Sequence, residues 1–332
     1  MLIKIHYLFL ACAAAIPLTQ AYTADDSIAK LGFDLHLSPL PVDQVDAKTP
    51  VISALGFPDP IAMYRGKFDT PTTFTVTFGF QSNVMRASIL NPCATVSQIG
   101  SINLGQELDA QTLLYAIIEC FKKGYKQIHI FANSRGAGAT LSMLDMLSNP
   151  LQHNHTWRRL GITDFNTQQA VRAMVARGTL FLTHPLLDQD QAVQTIARSI
   201  ARTVWPLPGS DLLKSSMICS AHTMLHTFTA YDADYPTPYT ILEHNISHTT
   251  WPYNITIALA KKDRIVGHAH DLQLSALADA YPDKLHVIEG GAGHCDIKQV
   301  IKNFRESLFR ESLCECPSAE NIYPQACGTS TS

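Results

Sequence analysis

Short apolar segments alternate with amphipathic segments between Thr72 and Leu313, and this alternation restricts the folds that the chain can adopt. The apolar segments are suited to strands that are buried on both faces of a sheet. The amphipathic segments carry apolar residues at the spacing of an α-helix. Strands and helices in alternation predict an α/β architecture, with a mostly parallel central sheet and helices on both of its faces.

The predicted strands are rich in β-branched and aromatic residues, as buried strands usually are. They are FTVTFGF (74–80), IHIFA (128–132), GTLFLTHP (178–185), ITIALA (255–260) and KLHVIEG (284–290). The first predicted helix begins where Asp109 can cap it and ends at Gly124. Further helices are predicted from the NSRGAGA segment to Leu147, from about Leu272 to Ala280, and through Ile297, Ile301, Phe304 and Leu308.

Residues 187–250 interrupt the alternation and are predicted to form an inserted helical cap. The residues at helical spacing in this segment are Val193, Ile196, Ile200 and Val204, then Leu213, Met217, Met224 and Phe228. The core is therefore predicted to comprise residues 71–186 and 251–313. Residues 22–70 are predicted to form an N-terminal arm with short strands, and residues 314–332 a cysteine-containing tail.

Residues 1–21 have the three-part layout of a secretory signal peptide. Lys4 supplies a positive charge, residues 7–18 are largely apolar, and small residues precede a cleavage site after Ala21. The apolar stretch is short for a membrane span and contains Pro17. The sequence thus predicts a secreted or periplasmic protein with no stable membrane span after cleavage. Anchoring by an uncleaved N-terminal segment is the alternative.

The cysteines fit an exported protein. Seven of the eight follow Ala21 and would experience an oxidising compartment. Cys314, Cys316 and Cys327 lie close together in the polar tail, so we expect a disulfide among them, with the pairing left open. Cys120 lies in an apolar helical stretch and is predicted to be a buried thiol.

The segment that contains Ser134 passes from a buried strand into a helix through a single turn. Small residues lie two positions before and after the serine, at Ala132 and Gly136. A serine that projects its hydroxyl above the edge of a sheet needs such a turn, in which larger neighbours would collide. The N-terminus of the following helix would stabilise developing negative charge. Ser134 is therefore a candidate nucleophile, and a helix N-cap is the alternative interpretation.

Two further candidate catalytic residues follow predicted strands. Asp263 lies in AKKDRIV, after ITIALA, and His294 lies in EGGAGHCDI, after KLHVIEG. The carboxyl ends of parallel strands meet at one edge of a sheet, so both side chains can reach a serine turn at that edge. Asp188, which follows the GTLFLTHP strand, is the alternative acid.

NSRGAGA, AKKDRIV and EGGAGHCDI, in this order and each after a strand, resemble the nucleophile elbow, acid loop and histidine loop of the α/β-hydrolase superfamily. The resemblance covers about residues 72–313. It implies that Ser134 attacks a carbonyl carbon and that His294 acts as general base and general acid. Asp263 would orient the histidine and stabilise its charged form.

The resemblance also implies an oxyanion hole formed by the backbone N–H groups of Arg135 and Phe80. Phe78 occupies the place where the family often has the histidine of a His-Gly-X loop. Ala132 stands in place of the usual first glycine of the elbow, and Asn133 in place of a more common histidine. The oxyanion hole is formed by backbone N–H groups, so it does not require a particular side chain at position 78. Alanine at position 132 is small enough for the turn of the elbow.

The net charge argues against a nucleic-acid ligand, and the sequence around the histidines argues against a metal ion. A formal net charge of −3, without a Lys/Arg run longer than two residues, argues against nucleic-acid binding. His268 with His270, and His153 with His155, are spaced as metal ligands can be, but neither pair has an evident third ligand nearby. We therefore expect no metal and no cofactor. His184 is expected to be structural or part of a pocket wall.

These features favour an exported serine hydrolase that cleaves a carboxylic ester, or a related acyl bond, of a small-molecule substrate through an acyl-enzyme. Apolar and aromatic residues of the predicted cap suggest an apolar acyl or aryl group; they are Trp205, Met217, Met224, Phe228, Tyr231 and Tyr235. Two alternatives stay open. One is a peptidase of the prolyl-peptidase kind, and the other is a non-catalytic secreted binding protein with the same fold. The sequence leaves the oligomeric state open.

Overall fold

A computed structural model describes most of the predicted core. The described residues are 49–54, 56, 73–76, 78, 103–195, 215–216, 218–220, 223, 231–263, 266, 268, 270–291, 293 and 297–313. The predicted signal peptide (1–21), Phe80, His294 and the cysteine-containing tail (314–332) lie outside them.

Six parallel strands form the central sheet. They are β1 (Val51–Ala54), β2 (Thr73–Val76), β3 (His129–Asn133), β4 (Leu180–Thr183), β5 (Ile255–Ala260) and β6 (Leu285–Gly291). Their spatial order is β2-β1-β3-β4-β5-β6, and every neighbouring pair runs parallel. All carboxyl ends therefore meet at one edge of the sheet. The predicted α/β architecture with a parallel sheet is confirmed.

Helices connect the strands. Within the described residues they are α1 (Glu107–Lys122), α2 (Arg135–Ser148), α3 (Asn154–Arg159), α4 (Phe165–Ala176), α5 (Pro238–Ile246), α6 (Asp271–Ala280) and α7 (Ile297–Leu313). Residues 189–195, 215–216, 218–220 and 223 are also helical. The predicted helices that correspond to α1, α2, α6 and α7 are confirmed.

Two details of the helices differ from the sequence prediction. The prediction contains neither α3 nor α4, although Asp164 caps α4 by accepting a hydrogen bond from the Thr167 N–H. The predicted capping role of Asp109 is wrong, because α1 begins at Glu107 with Gln106 at the N-cap position. The carboxylate of Asp109 forms a buried ion pair instead.

β1 lies in the interior of the sheet, between β2 and β3. All four of its residues are buried, including Ser53. The sequence prediction starts the core at residue 71 and assigns this segment to the N-terminal arm, whereas in the structure it is part of the core sheet. A strand of four residues with an internal serine has little periodicity of its own. Its place depends on pairing with β3, which is distant in the sequence.

The larger hydrophobic cluster fills the sheet face that α1, α2 and α4 cover. Alternate strand residues point into this cluster, because successive side chains of a strand point to opposite faces. Ile52, Ile130 and Leu182 are examples, and all three are completely buried. Helical residues complete the cluster. Leu113 and Ile117 of α1, for example, are four positions apart and therefore lie on the same face of the helix.

A smaller cluster covers the opposite face, where α7 packs against β3 and β4. The rings of Phe131 and Phe181 are stacked with centroids 6.1 Å apart. Phe304 of α7 meets these two rings edge-on at 5.3 and 5.6 Å. Edge-to-face pairs are a favoured arrangement of aromatic rings. The three phenylalanines therefore fasten α7 to the sheet.

Hydrogen bonds fasten described parts of the predicted cap segment to each other and to the core. The Tyr239 N–H donates to the Leu187 carbonyl oxygen, which joins α5 to the start of the segment. The Asn245 side chain of α5 donates to the Asp145 carboxylate of α2 at 2.8 Å. Residues 196–214 lie outside the described residues, so the helical cap as a whole stays a prediction.

Helix length and cysteine burial can be compared with the sequence predictions. Among the described residues, no helix is long and apolar enough to cross a membrane. Cys120 is buried, as predicted, and burial raises the pKa of its thiol to about 12, which makes it unreactive at neutral pH. The predicted disulfide of the tail and the predicted signal peptide both lie outside the described residues.

Phe304→Ala tests the packing of α7. We expect the free energy of unfolding to fall by about 3–5 kcal/mol, because a buried ring is removed and a cavity is left between α7 and the sheet. Urea denaturation followed by circular dichroism measures the loss. Lys302→Ala, on the exposed side of the same helix, is the control and should change the free energy by less than about 0.5 kcal/mol. Equal effects of the two substitutions would contradict this packing.

Candidate active site

A tight turn at Ser134 joins β3 to α2. β3 ends at Asn133 and α2 begins at Arg135, so Ser134 alone forms the turn. Its backbone has φ 52° and ψ −115°. A residue with a side chain rarely adopts this combination, which lies outside the left-handed helical region. Strained backbone of this kind persists only where the surrounding structure enforces it, and it is concentrated at functional sites.

The Ser134 hydroxyl does not serve as a helix cap. Ser134 occupies the N-cap position of α2, but its side chain makes no capping hydrogen bond. Its carbonyl oxygen accepts hydrogen bonds from the N–H groups of Ala137, Gly138 and Leu186. The interpretation of this serine as a capping side chain is therefore wrong. The φ and ψ of Ser134 are compatible with the predicted elbow.

The residues around the turn are packed too closely for larger side chains. Ala132, two positions before Ser134, is completely buried. A Cβ atom at Gly138 would lie 2.9 Å from the Leu186 carbonyl oxygen. One at Gly105 would lie 3.0 Å from the Arg135 carbonyl oxygen, and the φ of Gly105 is +87°. Two backbone segments therefore press directly on the first turn of α2.

The elbow has a defined place in the sheet. It follows β3, a central strand between β1 and β4, at the carboxyl edge. Asp263 follows β5 at the same edge, and in the sequence His294 follows the end of β6. A parallel sheet with a strained serine turn after a central strand, and with an acid and a histidine later in the chain, is the arrangement that the resemblance to α/β hydrolases implies. The chain has the α/β-hydrolase fold.

Several solved α/β hydrolases and related enzymes are similar to this chain at low sequence identity. An esterase of Pyrococcus furiosus is 11% identical, with a TM-score of 0.41 and with 79% of this chain and 80% of that chain covered. An α/β-hydrolase enzyme from a sediment metagenome of the Mar Chica lagoon, Morocco, is 12% identical, with a TM-score of 0.36 and coverages of 80% and 91%. The 2-hydroxy-6-oxo-6-phenylhexa-2,4-dienoate hydrolase of a Rhodococcus species is 12% identical, with a TM-score of 0.35 and coverages of 80% and 90%. No protein-family model matches the sequence, and no curated protein matches it significantly.

The side chain of Arg135 forms a buried ion pair with Asp109 of α1. Its Nε and one terminal nitrogen donate to the two carboxylate oxygens at 2.6 and 2.7 Å. The two side chains are only 1% and 2% exposed. A bidentate pair with this geometry is strong, and removal of either partner would leave an uncompensated charge in the interior. The pair fastens the residue after Ser134 to α1 of this α/β-hydrolase fold.

Phe78 contacts the same guanidinium. Its ring centroid lies 5.4 Å from the Arg135 Cζ, which is within the range of a cation–π interaction. Phe78 is only 1% exposed. This contact is a structural reason for a phenylalanine where α/β hydrolases often have histidine. Phe80, the second expected oxyanion donor, lies outside the described residues.

The loop before α1 completes the surroundings of the ion pair. The Asn103 side-chain oxygen accepts the N–H groups of Leu108 and Asp109, and so caps the helix. The Gly105 N–H donates to the Asp109 carboxylate at 2.7 Å. The Ser142 hydroxyl of α2 donates to the Gly105 carbonyl oxygen. The acid of the pair is thus held by backbone hydrogen bonds as well as by the arginine.

Asp263 lies just beyond the carboxyl end of β5. The pairing of β5 with β6 is irregular between Leu259 and Ala260, immediately before the acid loop. Irregularities of this kind often redirect a chain beside an active site. Asp263 is 6% exposed, and its carboxylate accepts a hydrogen bond from the Val266 N–H at 2.9 Å. The acid predicted from the sequence is therefore buried and held in place.

A histidine also holds the backbone of Asp263. The Asp263 N–H donates to Nε2 of His268 at 3.0 Å. Because Nε2 accepts, the ring proton of a neutral His268 is on Nδ1, which lies 2.7 Å from the Asp271 carboxylate and donates to it. His268 therefore joins the acid loop to the first turn of α6.

Asp188, the alternative acid, has different partners. One carboxylate oxygen accepts the Gln191 N–H at 2.9 Å and caps the helical residues 189–195. The other lies 3.6 Å from Nε2 of His270. The Asp188 side chain is 29% exposed. Both candidate acids therefore accept a backbone N–H three residues further along the chain, and Asp188 is the more exposed of the two.

A cleft lies at the carboxyl ends of β4 and β5. Asp188, Asp263 and His270 contribute to its polar wall, and Leu187 and Leu259 to its apolar wall. Residues 184–188 continue β4 along the cleft, and the hydrogen bond from the Leu186 N–H to the Ser134 carbonyl oxygen connects them to the elbow. The predicted acid therefore lines the cleft, whereas Ser134 is connected to it only through the backbone of the segment that follows β4.

The paired histidines do not converge on a metal. His268 and His270 face different carboxylates, as do His153 and His155. In the described part of the chain, no three His, Cys, Asp or Glu side chains are placed to hold a metal ion. His184 is 1% exposed and lines the cleft, which confirms its prediction as a pocket wall.

Sequence reasoning predicts the tight turn at Ser134 but misses the ion pair that supports it. Ser134, Arg135 and Asp263 lie at the expected ends of strand and helix, while His294 lies outside the described residues. The Asp109–Arg135 pair is not predicted. The available signal is the arginine itself, since a cation in the tight turn of a buried elbow needs a buried acid.

Asp109→Asn tests the ion pair. We expect a loss of about 3–5 kcal/mol in the free energy of unfolding, because the Arg135 charge stays buried without its partner. Urea denaturation measures it. Glu119→Gln, which removes a surface partner of Lys122 on the same helix, is the matched control and should cost less than about 1 kcal/mol.

A double variant separates charge from packing. Asp109→Leu combined with Arg135→Met removes both charges, so it should be more stable than Asp109→Asn alone. The electrostatic explanation fails if the double variant is at least as unstable as the single one.

Proposed function

We propose that the chain is an exported serine hydrolase that cleaves a carboxylic ester, or a related acyl bond, of a small-molecule substrate. Ser134 is the nucleophile, His294 the general base and acid, and Asp263 the orienting acid. The backbone N–H groups of Arg135 and Phe80 bind the oxyanion. No metal or cofactor takes part in these steps.

The backbone of Ser134 is the observation that carries the proposal. A φ of 52° with a ψ of −115° is unfavourable for a serine, and the side chain gains no capping hydrogen bond in return. Strain without a structural benefit is expected where the side chain has a chemical role. The strained turn directs the hydroxyl to the edge of the sheet where parallel α/β proteins bind their ligands.

The proposed reaction has two acyl-transfer steps. The Ser134 Oγ attacks the carbonyl carbon of the substrate while His294 accepts the hydroxyl proton. The bond from this carbon to the leaving oxygen then breaks, and His294 returns the proton to that oxygen. Water, activated by the same histidine, attacks the acyl-enzyme and releases the carboxylic acid. Ser134 regains its proton.

The Asp109–Arg135 pair supports the proposed oxyanion hole. Arg135 is the first residue of α2, and both Asp109 and Phe78 hold its side chain. A hydrogen-bond donor stabilises a transition state most effectively when it is held in position beforehand. The helix N-terminus adds a favourable electrostatic field for the developing oxyanion.

Export and ester cleavage are separate parts of the proposal. Export depends on residues 1–21, which have the layout of a signal peptide. Ester cleavage depends on the resemblance to α/β hydrolases.

A peptidase would instead hydrolyse amino-acid p-nitroanilides faster than p-nitrophenyl esters, so rates with both substrates on one preparation distinguish the two activities.

A fluorophosphonate probe, which reacts with activated serines, tests the nucleophile. We expect the wild-type protein to be labelled and Ser134→Ala not to be, because the attacking oxygen is missing. In-gel fluorescence measures the labelling, and circular dichroism verifies that the variant is folded. Ser275→Ala, at an exposed serine of α6, is the control and should be labelled like the wild type. A folded wild type without label would favour the non-catalytic binding protein.

Asparagine substitutions distinguish the two candidate acids. We expect Asp263→Asn to lower kcat for p-nitrophenyl butyrate by roughly 10⁴-fold, because the proposed histidine loses the charge that orients it. Asp188→Asn should lower kcat far less, since that carboxylate caps a helix. Steady-state kinetics measures both values. A larger loss for Asp188→Asn would reverse the assignment of the acid.

A further inference from the structure

We infer that His270 determines substrate specificity by binding a hydrogen-bond donor group of the substrate, either a hydroxyl or an ammonium. The inference rests on the proposed function and concerns the same cleft. It assigns His270 a binding role and no role in the chemical steps.

His270 carries hydrogen-bonding capacity that the described protein does not use. Both of its ring nitrogens are buried, and neither has a hydrogen-bond partner among the described residues. Buried polar atoms in proteins are usually paired, because an unpaired one has lost its bonds to water. His270 also lines the cleft that contains Asp263. A bound molecule in the cleft can therefore supply the missing partner.

The imidazole ring is held in one orientation. It stacks on the Tyr239 ring of α5, with centroids 4.4 Å apart and an angle of 15° between the planes. His270 also occupies the N-cap position of α6, so its backbone is fixed by the helix that follows. A ring that is fixed in advance loses little conformational freedom when a ligand binds.

Asp188 determines which ring nitrogen can accept a hydrogen bond. Its carboxylate oxygen lies 3.6 Å from Nε2 of His270, which is too long for a hydrogen bond but close enough for electrostatic attraction. The proton of the neutral ring is therefore favoured on Nε2, facing the carboxylate. Nδ1 then carries a lone pair, and its partner has to be a donor.

The charges of the cleft exclude an anionic partner. Asp188, Asp263 and Asp271 line it, and no lysine or arginine does so among the described residues. A carboxylate on the substrate would be repelled, whereas a hydroxyl or an ammonium would not. Leu187, Leu259 and Val266 supply apolar walls for the rest of the group. The substrate inferred from these walls is a short acyl chain with a polar donor at its end.

Four p-nitrophenyl esters test the inference. They are the butyrate, the β-hydroxypropionate and the β-alaninate, which have chains of similar size, and the hemisuccinate, which carries a carboxylate. We expect kcat/KM to be roughly tenfold higher for at least one donor-bearing ester than for the butyrate, and lowest for the hemisuccinate. The hydroxyl and ammonium esters identify which of the two donors binds.

His270→Phe is the decisive variant, because it keeps a ring to stack on Tyr239 and removes both ring nitrogens. The ratio of kcat/KM for the preferred ester to that for the butyrate should fall to about one-tenth of the wild-type ratio. His244→Phe, at an exposed histidine of α5, is the matched control and should keep the wild-type ratio. If His270→Phe does not fold, His270→Leu replaces it in the same comparison.

Each remaining outcome contradicts one proposal or both. If a folded His270 variant keeps the wild-type ratio of kcat/KM between the preferred ester and the butyrate, the inference about His270 is wrong. The proposed function is unaffected by that result, because the esters are still hydrolysed. The inference is also wrong if the wild-type protein has its highest kcat/KM for the hemisuccinate. A wild-type protein that hydrolyses none of the four esters, and is not labelled by the fluorophosphonate, overturns the proposed function and this inference with it.

Discussion

The buried ion pair between Asp109 and Arg135 is the interaction on which the elbow depends. Two charges withdrawn from water are tolerated only if they satisfy each other and their remaining hydrogen-bonding capacity. Here the guanidinium binds both carboxylate oxygens, the Gly105 N–H adds a further bond, and Phe78 covers the guanidinium face. One side-chain pair thus joins α1, the start of α2 and the segment after β2 around a strained serine.

This pair also changes the meaning of Phe78. Compared with α/β hydrolases that have a histidine at this position, the phenylalanine looks like a defect of the oxyanion loop. In the structure it is a buried partner of the cation that follows Ser134. Histidine would bring a polar ring against an arginine in the same buried space. The phenylalanine and the Asp109–Arg135 pair are therefore parts of one arrangement.

The sequence predicted what local patterns determine. The strands β3 to β6 and the helices α1, α2, α6 and α7 follow from runs and spacing of apolar residues. The turn at Ser134 was predictable as well, because small neighbours at fixed distances are a steric requirement. Asp188 and Asp263 both follow strands, however, and no local pattern shows that the first caps a helix while the second is buried.

Long-range partners could not be predicted. Asp109 and Arg135 are 26 positions apart, and nothing near either residue identifies the other. β1 is a four-residue strand that is defined by its neighbours in the sheet. For the same reason, His270 looks in the sequence like half of a metal-binding pair, whereas its surroundings are Tyr239 and Asp188.

The packing of α7 has a consequence for how activity would be lost under stress. In the sequence, residues 292–296, which include His294, connect β6 to α7. β6 is the last strand of the sheet, and α7 contacts it through the hydrogen bond from the Asn303 side chain to the Glu289 carbonyl oxygen, while the three phenylalanines attach α7 to β3 and β4. A local opening that detaches α7 would break these contacts, which follow directly after His294 in the sequence, while the other face of the sheet stays folded. Under the proposed mechanism, heat or denaturant would then abolish turnover before the protein unfolds globally.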